Sequence, residues 1–83
     1  MKPEDLHLGA TYKHYKGDLY VPFALALDTS MGRGDALMVV YRAWSPVPTT
    51  ERVPIFVRRF DEWDGPVSNP QAPQTQRFEL VPT

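Results

Sequence analysis

The sequence predicts an all-β chain, a small antiparallel barrel or roll of about five strands with one short helical turn. Three observations predict it. Nine prolines among 83 residues, about twice the usual frequency, cut the chain too often for a long helix. The apolar segments are short, β-branched or aromatic, and bounded by turn residues. Finally, YKHYKGDLY, Tyr12 to Tyr20, places a glycine turn between two alternating stretches, the mark of a hairpin.

The first strand is Thr11 to Lys16 and the second Leu19 to Leu27. Between them Gly17-Asp18 reads as a two-residue turn, with glycine supplying a positive φ at its first central position. That turn sets a register: Lys16 faces Leu19, Tyr15 faces Tyr20, His14 faces Val21, Lys13 faces Pro22 and Tyr12 faces Phe23. Opposed residues share a face, so the core side carries Tyr12, His14, Val21, Phe23, Leu25 and Leu27. The outer side carries Lys13, Tyr15, Tyr20, Pro22, Ala24 and Ala26. Pro22 lacks an N–H that would point away from the first strand, which predicts an edge there. The second strand then pairs with the first through one half and with the third, Ala36 to Trp44, through the other. It bends between them as strands do in small barrels, and an SH3-like barrel or roll is the expected result.

Val53 to Arg59 is the fourth strand. In Phe60-Asp61-Glu62-Trp63-Asp64 the apolar residues fall at i and i+3, one helical turn, which Gly65-Pro66 stops. Pro66 to Gln76, PVSNPQAPQTQ, has little apolar content and reads as an extended surface loop. Arg77 to Val81 restores alternation as a last strand. The chain reads as one domain over 1–83, with an N-terminal arm over 1–8 and a Pro/Gln-rich loop over 65–76.

With no cysteine, disulfides, thiolate zinc sites and a thiol nucleophile are excluded. A formal charge of −1 argues against a surface that attracts phosphate backbone throughout. The longest apolar run, Leu19 to Leu27, contains a proline and is too short to span a bilayer. The opening MKPEDLHLGA carries acids where a secretory signal carries basic and then apolar residues. A soluble protein of the bacterial cytoplasm is expected.

The candidate binding surface is Tyr15, Tyr20, Tyr41, Arg42, Trp44 and Arg58. Tyr15 and Tyr20, beside Lys13, form an outward aromatic pair able to stack a base or cradle a proline-rich peptide. The plainer account is a hairpin with paired tyrosines and solvated lysines. Arg42 alternates with Val40 and Trp44, and Arg58 follows Phe56 on the next strand, so the two guanidinium groups are expected to converge near aromatic surface. Arginine beside an aromatic ring suits a carboxylate, phosphate or nucleobase. Pairing with Asp61, Glu62 or Glu79 is the structural alternative. His14 reads as a hydrogen-bonded core histidine.

Other patterns carry no chemistry. Gly32-Arg33-Gly34 lacks the third glycine and the helix of a phosphate loop, and Arg33-Gly34-Asp35 is a chance tripeptide. Asp61, Glu62 and Asp64 form a solvated acidic turn. Ser30, Ser45 and Ser68 lack a nucleophile elbow, and His7 and His14 lack metal-ligand spacing. No catalytic residue, metal or cofactor is expected.

In three places the chain resembles the DUF1653 family of small uncharacterised bacterial proteins. Tyr12 to Tyr20 is similar to its opening G-x-Y-x-H-Y/F-K-G-x-x-Y, with Gly9 shifted upstream. Val39-Val40-Tyr41-Arg42 resembles its V-V-Y-R, and Val57-Arg58-Arg59-Phe60-Asp61-Glu62-Trp63 its V-R-P-L-x-x-F. Arg59 replaces proline and Trp63 phenylalanine. DTSMGRGD, Asp28 to Asp35, replaces a shorter connection and lacks its histidine. The resemblance implies a small SH3-like β fold and no particular activity.

These readings converge on a non-catalytic binding module for a protein, a peptide or a small anionic ligand. A nucleic-acid or nucleotide binder is the second expectation, and a small enzyme with an unrecognised site the third.

Overall fold

The computed structural model describes residues 2–30, 36–45, 54–66 and 76–82. Residues 31–35 with their Gly32-Arg33-Gly34 and Arg33-Gly34-Asp35 patterns, residues 46–53, and most of the Pro/Gln-rich segment with Ser68 lie outside the described residues. A 3₁₀ turn over Pro3–Asp5 precedes five strands: β1 (Tyr12–His14), β2 (Leu19–Asp28), β3 (Ala36–Ala43), β4 (Ile55–Arg59) and β5 (Phe78–Leu80). Helix α1 (Phe60–Trp63) lies between β4 and β5. Each strand and α1 falls within two residues of the boundaries read from the sequence, and the 3₁₀ turn lies in the expected N-terminal arm. The strands form one antiparallel sheet in the order β4-β3-β2-β1-β5, which is not closed, so β4 and β5 are its edges. Among the described residues no helix is long and apolar enough to cross a membrane.

The β1–β2 hairpin corrects the expected register. Tyr12 stands opposite Tyr20 and Lys13 opposite Leu19, whereas a two-residue turn would set Tyr12 against Phe23. The loop is Tyr15-Lys16-Gly17: His14 N–H donates to the Asp18 carbonyl at 2.8 Å, and Gly17 N–H to the His14 carbonyl at 2.8 Å. Gly17 takes φ +107° as the last residue of a three-residue loop, the position after a tight turn where a positive φ forms a glycine bulge. Either turn demands glycine for the same reason.

Pro22 supplies the second correction. β2 pairs with β3 from Tyr20↔Ala43 to Asp28↔Ala36, so Pro22 faces Tyr41 and is not at an edge. The register steps between Pro22 and Ala24, making Phe23 the extra residue of a bulge, one of the few places where an interior strand accepts proline. The Pro22 carbonyl accepts the Gly9 N–H at 2.7 Å. A bulge inverts the alternation. Before it Tyr20 and Pro22 share a face with Tyr12 and Tyr41; after it Leu25 takes that face opposite Val39. Val21 and Phe23 therefore move to the other face, where Val21 is buried and Phe23 is 42% exposed.

The core comprises Leu6 of the N-terminal arm with Tyr12, Val39, Tyr41, Trp63 and Phe78, flanked by Ala10, Tyr20, Leu25 and Phe60. The single turn of α1 presents Phe60 and Trp63 to the sheet at i and i+3. Trp63, 1% exposed, stacks on Phe78 with centroids 3.8 Å apart and planes at 3°. It meets Tyr12 and Tyr41 edge-on at 5.5 and 5.1 Å. Bonds from Asp64 N–H to Phe60 and from Gly65 N–H to Glu62 close the helix. A Pro66↔Gln76 bridge and the Arg77 N–H bond to Gly65 at 3.1 Å then carry β5 back so that Phe78 lands on Trp63.

Candidate functional site

At one end of the sheet the hairpin turn, the start of β2, the end of β3 and Phe56 of β4 surround an open concavity of about 440 Å³. Its lining is Gly17, Asp18, Leu19, Tyr20, Ala43, Trp44 and Phe56. The registers Tyr20↔Ala43 and Tyr41↔Phe56 put Tyr20, Ala43 and Phe56 on the core face. Tyr20 and Phe56 meet edge to face, with centroids 6.0 Å apart and planes at 86°, and Ala43 lines the concavity with them. Tyr41 backs both rings, at 5.4 Å from Tyr20 and 5.5 Å from Phe56. Trp44 N–H donates to the Leu19 carbonyl at 3.0 Å, which fixes the Trp44 backbone beside the start of β2. Trp44 is 44% and Phe56 39% exposed.

The structure brings together only part of the expected surface. Tyr20 and Trp44 line the concavity. Tyr41 is a core residue whose hydroxyl accepts from Arg58 Nε at 3.4 Å. Arg58 shares the core face opposite Val39, whereas Arg42 faces Ile55, so the two guanidinium groups point to opposite faces and do not converge. Arg58 is engaged within the protein: Nη1 lies 3.9 Å from Glu62 Oε2, and the guanidinium sits 5.5 Å from the centroid of the Phe78 ring. Arg42 Nη1 donates to the neighbouring Ala43 carbonyl. Tyr15 lies in the hairpin loop with its ring 4.5 Å from that of His14 and 5.8 Å from Lys16 Nζ, and it does not line the concavity.

Five of the lining residues, Gly17, Asp18, Leu19, Ala43 and Phe56, lie outside the expected surface. Phe56 was visible only as the neighbour of Arg58, and Asp18 only as a turn residue. A three-residue loop reveals Asp18, because it puts Asp18 and Tyr20 on the core face together, while Phe56 follows only from the β3–β4 register. Asp18 is the one charged residue among the described residues lining the concavity. Burial raises the Tyr20 phenol pKa first of all, with the Asp18 carboxylate and Tyr41 adding to it and Arg58 opposing. His14 Nδ1 accepts the Lys16 N–H at 3.2 Å. Its pKa is lowered by burial and then by Arg58, Arg77 and Lys16, while Asp18 acts against them. Among the described residues no group of three or more His, Cys, Asp or Glu could hold a metal ion.

Residues 10–80 match a family model described as a protein of unknown function, DUF1653. No curated protein and no solved structure matches the chain.

Proposed function

The chain belongs to the DUF1653 family, and from that premise we propose that it is a non-catalytic binding module whose contact surface is the concavity between Tyr20, Trp44 and Phe56. One observation carries the reading: two large aromatics, Trp44 and Phe56, are substantially exposed around a concavity that Tyr20 lines with them. Aromatic anchors set around a recess are the usual energetic centre of a protein contact. Tyr41 and Arg58 support this surface from behind, Tyr41 by packing on both rings and Arg58 by holding the Tyr41 hydroxyl. We also read the curled sheet as an SH3-like roll, which the approach of Arg58 on β4 to Phe78 on β5 supports.

The partner is a protein or peptide. Asp18 at the rim disfavours the small anionic ligand that convergent arginines would have suited, since a carboxylate repels an anion. The same carboxylate, with the overall charge of −1, disfavours a nucleic-acid backbone. Titrating isotope-labelled protein with a peptide library tests the reading. Binding peptides are expected to shift the amides of residues 17–20, 43–44 and 56, and Trp44→Ala is expected to remove the interaction. Shifts confined to Arg42, Ile55 and Val57 would contradict it.

A further inference from the structure

We propose that β4 pairs antiparallel with β4 of a second copy of this chain, about a two-fold axis at Val57, so that two sheets continue as one. This goes beyond the binding reading above and stands on the edge of the sheet. Three observations carry it. β4 is an edge strand, and among the described residues no strand lies beyond it, so one row of its N–H and C=O groups faces away from β3. Ile55 and Val57 are 63% and 57% exposed, on a strand without the proline, lysine or bulge that keeps sheet edges from pairing. The five residues of β4 are also complementary to themselves when read in the opposite direction.

Opposed residues of an antiparallel pair share a face, so a two-fold axis through the seam sets one residue against its own copy. Val57 is the middle residue of β4, and centring there engages the whole strand. Val57 then meets Val57 of the copy, Ile55 meets Arg59 and Phe56 meets Arg58. No like charges oppose one another, and each arginine offers its aliphatic stem to an apolar neighbour. Centring on Arg58 would set guanidinium against guanidinium. Arg59 brings its own counter-charge, since Nη2 lies 3.2 Å from Asp61 Oδ2, and a chain of net charge −1 offers little repulsion to its copy.

The face opposite the core supports the same seam. The registers align Ala24 of β2, Val40 of β3 and Val57 of β4 in one row across the sheet. That apolar row stops at the edge, where Val57 stands exposed. The two-fold axis continues it through Val57, Val40 and Ala24 of the second copy, so an exposed valine is covered by its own counterpart. A foreign strand satisfies the same backbone groups, whereas the chain's own β4 also supplies the matching row and the two arginine stems.

The test is sedimentation of the full chain from about 1 μM to 1 mM, over which the mass is expected to rise from that of one chain toward that of two. Val57→Lys and Val57→Glu each set like charges against each other at the axis. Each alone is expected to weaken the dimer at least about tenfold with the backbone fingerprint unchanged away from β4, since Val57 is exposed. An equal mixture of the two variants is expected to recover a heterodimer, because lysine then faces glutamate. In a mixture of isotope-labelled and unlabelled parent chain, filtered Overhauser contacts are expected between the Val57 methyls of two copies and from the Phe56 ring to the Arg58 stem. A chain that stays monomeric throughout would overturn the proposal, and shifts of Ile55 and Val57 on adding an extended peptide to that monomer would give the edge to a foreign strand. A dimer that Val57→Lys leaves intact, or a variant mixture that stays monomeric, would overturn the seam. Contacts between copies at Tyr20 and Trp44 in place of Val57 would overturn it too, and would make the concavity the interface.

Discussion

Arg58 on β4 holds its guanidinium 5.5 Å from the centroid of Phe78 on β5, joining through side chains the two edge strands of a sheet that does not close through its backbone. The same group donates to the Tyr41 hydroxyl, so one residue connects the curl of the sheet to the ring behind the candidate site. Three short-range interactions converge on it, and they differ in what each is worth.

Replacing Arg58 by methionine keeps much of the stem and removes the hydrogen bond, the ion pair and the cation over the ring. A loss of about 1–3 kcal/mol is expected in urea denaturation. Glu62 is 55% exposed, so Glu62→Gln is expected to change stability by less than about 0.5 kcal/mol. Arg58→Lys is expected to recover little, because an ammonium cannot donate to the hydroxyl and lie flat over the ring together. Equal losses for the Arg58 and Glu62 variants would mean that the ion pair dominates.

Gly17 carries the hairpin. Among the described residues, leaving out its chain neighbours, no atom lies within 4 Å of the place a Cβ would take, so any penalty at this site is one of backbone conformation. Gly17→Ala is expected to cost about 1–2 kcal/mol, and a chemically synthesised chain with D-alanine at 17 is expected to restore the loss. If both enantiomers destabilise equally, the positive φ at Gly17 is refuted.

Trp63 fills the centre of the core, with its face on Phe78. Trp63→Ala is expected to cost about 3–5 kcal/mol, a large part of the stability of so small a chain. Among the described residues its buried Nε1 has no hydrogen-bond partner. Trp63→Phe removes that orphan donor along with some contact area, so it is expected to cost less than half as much as Trp63→Ala by the same measurement.

His14 makes stability depend on pH. Its pKa in the folded chain lies below the ordinary 6.5, through burial first and the neighbouring cations second. The unfolded chain therefore binds the proton more readily, and stability is lost as pH falls from 6.5 toward the folded value. His14→Asn keeps an acceptor for the Lys16 N–H and does not titrate. Its melting temperature is expected to fall less than that of the parent chain over this window. Parallel curves would show that other groups set the dependence.

The strands were legible in the sequence because prolines and turn residues bound each apolar run, and α1 because Phe60 and Trp63 sit one turn apart. The site was only half legible. Gly17 signals a turn equally well in a loop of two residues or three, yet the choice moves Tyr20 from the outer face to the core face. Pro22 alone predicts an edge, whereas a bulge at Phe23 also accommodates it and reverses the alternation beyond. The two-residue turn puts Val21 and Phe23 on the core side with Tyr12, whereas the observed register puts them on the other face and the bulge returns Leu25 to the core face. The arginines failed for a related reason: alternation along one strand does not say which residue of the next stands opposite, and Arg42 opposes Ile55 while Arg58 opposes Val39.

The most direct check on the recess is the nuclear Overhauser contact between ring protons of Tyr20 and Phe56 in the free protein. With centroids 6.0 Å apart at 86°, edge protons of one ring approach the face of the other, and a clear cross-peak is expected together with one between the Tyr12 and Tyr20 backbones. Cross-peaks linking Tyr20 to Tyr15 across a shorter turn, with none to Phe56, would place Tyr20 on the opposite face and remove a wall of the site.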